Sequence, residues 1–130
     1  MTKSVNDAVL DAALDFITNN ATAIRVCATA AVTTYAIATA NTLVSANVSG
    51  ADFGSPANGD SSGRKMAIGA KNSQTARDTA NATAQTVVIT QASDQRVLYV
   101  TDVTANSQQV IVSGNTVNIG TWDIEIADPT

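Results

Sequence analysis

Between Thr86 and Ile126 the chain is a series of short, strongly β-forming apolar segments broken by turn residues, and this rhythm constrains the fold more than any other feature. A side-chain period of two suits a strand with one buried and one wet face. Residues 86–90 and 97–103 read as two strands joined across Gln91 to Arg96 in a hairpin. Val110-Ile111-Val112 and Thr116-Val117-Asn118-Ile119 flank Ser113-Gly114-Asn115, which suits a tight hairpin turn. Trp122, Ile124 and Ile126 alternate with Asp123 and Glu125, giving the last strand one buried and one wet face.

Upstream the same signal is weaker but present. Ile24-Arg25-Val26-Cys27-Ala28 alternates as a half-buried strand should, and residues 43–48 read as another. Residues 64–70 alternate with Met66 and Ile68 on one side. The Thr/Ala-rich stretch 33–42 is ambiguous, and the polar segment 71–82 suits a loop or a weak edge. Residues 52–63 are dominated by Gly, Pro, Asn and Ser, which predicts one long loop without a regular element. About seven short strands with turns between them predict a mainly β (α+β) fold, a small antiparallel sandwich or barrel. With no internal repeat, heptad array or linker, residues 1–130 are expected to form one domain: a helical segment 1–20 and a β domain 21–130.

The opening segment has a different period. Residues 4–18 are predicted to be a helix, with Ser4 capping the first turn and Asp7 at the third position after it, close to a capping box. Val5, Val9, Leu10, Ala12, Ala13, Leu14, Phe16 and Ile17 cover roughly half its circumference, wider than a one-sided surface helix needs. One reading packs this helix on its own sheet with its aspartates in water. The other has the broad face meet two surfaces, its own sheet and a neighbouring subunit. On that reading Val5, Val9, Leu10, Leu14, Phe16 and Ile17 are the candidate subunit interface. Asp7, Asp11 and Asp15 form an acidic stripe with no basic residue four positions on, so a partner would offer it a basic strip.

At 130 residues the chain supports one core, burying roughly two-thirds of the surface its unfolded form exposes. Aromatics are 4% of residues, so Val, Ile, Leu and Ala must build that core, and so thin a core invites burial against neighbouring subunits. The 45% hydrophobic content argues for folding rather than disorder. A net charge of −4 and seven scattered basic residues argue against direct nucleic-acid binding. Met1-Thr2-Lys3-Ser4 leads into three aspartates rather than a secretory apolar region, and no apolar run is long enough for a membrane span. Cys27 is alone, so it has no partner for an internal disulfide. The triplets at Asn20, Asn47 and Asn81 match the glycosylation pattern, as chance allows in an Asn/Thr-rich chain. The expectation is a protein made and assembled in the cytoplasm.

Tests for chemistry fail one by one. Gly59-Asp60-Ser61-Ser62-Gly63-Arg64-Lys65 gathers Gly, Ser and Lys, but the glycines are too close for a phosphate loop, and Met66 stands where a hydroxyl is needed. A nucleophile at Ser61 or Ser62 would need a base, and the chain has no histidine. Lys65 would need a desolvating pocket to serve. Asp52 and Asp60 match no standard calcium spacing, and Cys27 reads as a small core residue. No enzyme activity, cofactor, metal or small-molecule substrate is expected. Phe53, beside the long loop, is the best candidate for an exposed aromatic contact, with anchoring of that loop as its other use.

Four stretches carry a resemblance: Val5-Asn6-Asp7-Ala8-Val9-Leu10-Asp11-Ala12-Ala13-Leu14, Thr33-Thr34-Tyr35-Ala36, Ser62-Gly63-Arg64-Lys65, and Gly114-Asn115-Thr116 through Trp122-Asp123-Ile124-Glu125-Ile126-Ala127-Asp128-Pro129. Together they resemble small virion structural proteins of tailed bacteriophages, most of all capsid decoration (cement) proteins. The resemblance spans the chain, through short and loose motifs, and carries over no functional residues. It implies a place on the capsid exterior, with the major capsid protein and copies of the chain itself as partners, and trimerisation as an expectation. A tail or head–tail connector component is the alternative role, and a receptor- or carbohydrate-binding module at the virion surface is a third.

Overall fold

A computed structural model describes residues 3–81, 83–104 and 107–130. Expectations resting on Met1, Thr2 and Ala82 lie outside the described residues. Among those described, the chain forms one long helix, one short helix and nine strands in antiparallel sheets, the mainly β, α+β sandwich predicted above.

Helix α1 spans Asp7–Asn20 rather than starting at Ser4. Asn6 is its cap, accepting at Oδ1 from the Ala8 N–H at 2.9 Å. Residues 3–5 are drawn off along the C-terminal tail instead: Lys3 Nζ donates to Thr130 O at 3.1 Å, and the Val5 N–H donates to Asp128 at 3.4 Å. A segment already bonded in that way does not supply the first turn.

The main sheet has the order β2-β1-β6-β7, with β1 Ala23–Cys27, β2 Thr42–Asn47, β6 Thr86–Gln91 and β7 Arg96–Asp102. Its β6–β7 hairpin falls where the sequence places it, pairing Gln91 with Arg96. Strand β1 is buried on both faces, not half-buried as the alternation suggested. Ile24 and Val26 enter the main core; Cys27 faces a second cluster with Val32, Ala38 and Val88. The ambiguous stretch 33–42 supplies that cover. Tyr35–Ala40 forms helix α2, whose cap Thr34 accepts from the Ile37 N–H at 3.2 Å.

A second sheet has the order β3-β4-β9, from Ala57–Asn58, Arg64–Ile68 and Trp122–Ile126. The segment 52–63 is therefore not free of regular structure: Ala57 and Asn58 pair with Lys65 and Arg64. Gly63 makes the return possible, with φ +70° and an approach to Ile126 O that leaves no space for a β-carbon. Of the alternating trio in β9, only Ile124 is fully buried, while Trp122 and Ile126 are half-buried.

The third sheet corrects another expectation. Thr116–Ile119 (β8) pairs with Lys71–Thr75 (β5), not with residues 110–112. A turn does form at Gly114, but Ile111 bridges to Ala80 instead, so the two flanks leave the turn toward different partners. The polar β5 is an edge strand, one of the two options its composition left open. The core between these layers is aliphatic: Leu14, Ile24, Leu43, Met66, Ile68, Ile89 and Ile124 are its largest fully buried side chains.

Candidate interaction surface

Helix α1 divides its apolar residues into two stripes of identical spacing. Leu10, Leu14 and Ile17 point into the core, with Leu14 wholly buried. Thr18 fixes that orientation by donating to Met66 Sδ on β4 at 3.0 Å. One residue earlier in each case, Val9, Ala13 and Phe16 form the other stripe. Val9 is 60% exposed and Phe16 47%. Thus the predicted interface set divides: Leu10, Leu14 and Ile17 are spent on the chain's own core, Val5 is half-buried beside the C-terminal tail, and Val9 and Phe16 remain outside.

The outer stripe continues onto the sheets. Ala13, Phe16, Leu98, Tyr99, Ile124 and Ile126 line a groove of about 530 Å³ between α1 and strands β7 and β9. Sequence reasoning missed its strand side because Ile126 reads as an inward position of a regular strand and residues 97–103 read as a strand with no face assigned. A register irregularity between β6 and β7 passes over Leu98, which the alternating pattern does not reveal.

The acidic stripe finds a partner within the chain. Arg64 Nε donates to Asp11 Oδ1 at 2.6 Å and a terminal nitrogen donates to Oδ2 at 3.2 Å, a two-point grip. Asp7 stands 3.9 Å from the same guanidinium. Arg64 also donates to Asn58 Oδ1 and Pro56 O, so one side chain ties helix, loop and strand together. The Asp11 contact raises Arg64 above its ordinary value. Within the chain Arg64 thus grips Asp11 and reaches Asp7, which stays 68% exposed, while Asp15 forms no ion pair among the described residues.

Phe53 is buried, bridging to Ile68, so it anchors its loop and is no exposed contact. The residues tested for chemistry are likewise engaged. Asp52 accepts from the Ser49 N–H and pairs with Lys71 at 2.6 Å, and Lys71 foremost holds its carboxyl below the usual range. Asp60 pairs with Lys65, and that contact raises the lysine. Burial pushes the Cys27 thiol up, and its Sγ faces Ala38 O. No group of three metal-ligating side chains occurs among the described residues, and none of the described helices is long and apolar enough to cross a membrane.

One further cleft, of about 550 Å³, opens between β6–β7 and the β8–β9 connection, lined by Val87, Thr101, Val117, Ile119 and Trp122. Trp122 of this cleft meets Tyr99 of the groove beside α1, ring centroids 5.8 Å apart and tilted by 35°. The Trp122 Nε1 donor is buried with no acceptor among the described residues. Comparisons with protein-family models, curated proteins and solved structures find no match to this chain.

Proposed function

We propose that the chain is a non-enzymatic structural protein of a tailed-phage virion, decorating and stabilising the outside of the capsid. The observation that carries this reading is the outer stripe of α1. Val9 and Phe16, beside the half-buried Leu98 and Ile126 of the groove, form apolar surface that the fold itself leaves partly uncovered. Contiguous apolar surface of this kind marks a place where another protein sits. The motif resemblance along the chain supplies the setting, with the major capsid protein as the occupant of that surface. Charge supports the side: a chain of net −4 is repelled by packaged DNA and suits the exterior. Bridging neighbouring capsid subunits would add buried area and stabilise the shell by mass action.

The test mixes the purified full chain with phage heads that lack it, followed by co-sedimentation. Saturable binding to heads, weakened by Val9→Ser with Phe16→Ser, is the expected result. Binding to tails alone would move the role to a tail component, and binding to neither would sink the virion reading.

A further inference from the structure

Asn58 and Gly59 form the one Asn–Gly pair in the chain. Asparagine is least durable before glycine, which has no side chain to keep its backbone nitrogen away from the asparagine amide. The Gly59 N–H gives its proton to solvent and the nitrogen attacks Asn58 Cγ. A five-membered succinimide closes, and the side-chain nitrogen takes a proton back and leaves as ammonia. Water then adds to one of the two ring carbonyls and opens the ring to aspartate or isoaspartate. The fold cannot trade this glycine for a slower residue, because a β-carbon at 59 would collide with Ser62 O and Glu125 Oε1.

Burial does not protect the pair, since Asn58 is exposed. Geometry does. The Gly59 N–H donates to Gly63 O at 3.0 Å, which occupies the nucleophile. Asn58 stands opposite Arg64 in the β3–β4 ladder, and its Oδ1 accepts from Arg64 Nη1 at 2.6 Å, which draws the amide across the ladder. The ring also incorporates the Cα–C bond of Asn58 and needs a ψ far from the extended value of a strand. Closing it therefore requires both bonds to break and the two-residue β3 to unpair. Arg64 is in turn fixed by Asp11 on α1 and by Pro56 O, so the side chain that seats the helix also pins this loop.

We propose that Asn58–Gly59 is a deamidation site gated by Arg64, closed while that guanidinium spans α1, the loop and β4, and open when it lets go. The product is a lasting mark of the opening: isoaspartate puts an extra carbon into the backbone of β3, and the ladder register is lost. The inference concerns residues 56–64 and stands apart from the capsid reading, which rests on the helix stripe. Peptide mass spectrometry of the full chain in mildly alkaline buffer, which favours loss of the Gly59 proton, reads conversion at 58. The folded chain is expected to stay intact while the same chain in urea converts, with a suppression at least as large as the protection of the Gly59 amide against hydrogen exchange. Arg64→Gln should convert about tenfold faster than the natural chain, the weight of a charged donor in the opening equilibrium. If Arg64→Gln does not fold, Asp11→Asn loosens the guanidinium from the helix side and should also convert faster. Folded chain converting at the unfolded rate, suppression smaller than the Gly59 protection, or folded variants no faster than the natural chain would overturn the gate.

Discussion

Leu10, Leu14 and Ile17 lie on one side of α1, and Val9, Ala13 and Phe16 lie one residue earlier on the next. Both sets have the spacing of a core-facing helix stripe, set roughly 100° apart around the axis. One set is sealed in the core and the other is left largely in water. The difference lies in what the sheet offers. Strand β4 presents Met66 beneath the inner stripe and Arg64 beside Asp11, and these two contacts fix the helix rotation. Apolar spacing states which faces can be buried; the partner strand decides which one is.

The largest expected effect separates the stripes. Leu14→Ala should cost about 2–5 kcal/mol in urea unfolding, because it opens a cavity in a packed interior. Phe16→Ser should stay within about 0.5 kcal/mol, as surface changes do. Equal costs would break the comparison. Next in size, Gly63→Ala places a β-carbon against Ile126 O at a residue with φ +70°, and should destabilise by about 1–3 kcal/mol through β4, the strand that seats the helix. An unchanged unfolding midpoint would show that the β4 turn does not hold that seat.

Arg64→Gln should lower the melting temperature and raise amide exchange in the first half of α1, since Asp11 loses its two-point partner. Lysine should rescue only in part, being a point charge where a planar fork is needed. Full rescue by Arg64→Lys would reduce the contact to simple charge. The smallest effect is a pH dependence at Asp52. Its carboxyl is depressed by Lys71 and the Ser49 N–H, so its contribution is complete above the ordinary value near 3.8 and fades as pH falls through the depressed one. The stability gap between the natural chain and Asp52→Asn should narrow over that acid window and stay flat above it; a gap that changes near neutrality would contradict this.

Much of the β architecture was legible because alternation is a local signal. Strands β1, β2, β4, β6, β7 and β9 all fall close to their predicted positions. Partner choice was not legible. The turn at Gly114 reads as a hairpin from its own residues, but Ile111 goes to Ala80 and β8 goes to β5, a decision made by distant chain. The two-residue strand β3 was hidden inside a loop composition, since its pairing comes from β4 rather than from any propensity of Ala57 or Asn58. Helix α1 was legible as apolar beyond one face, yet Leu10, Leu14 and Ile17 could not be told from Val9 and Phe16 without the strand beneath. Arg64 showed only as part of a failed phosphate loop; its tie to Asp11 spans 53 positions of chain.

The central claim is that the outer stripe of α1 exists to be covered by a capsid. Cryo-electron microscopy of the intact particle tests it most directly. The account predicts copies of this domain on the outer surface of the head, with Val9 and Phe16 against the major capsid protein. Density confined to the tail, or head-bound copies whose Val9 and Phe16 face solvent, would contradict it.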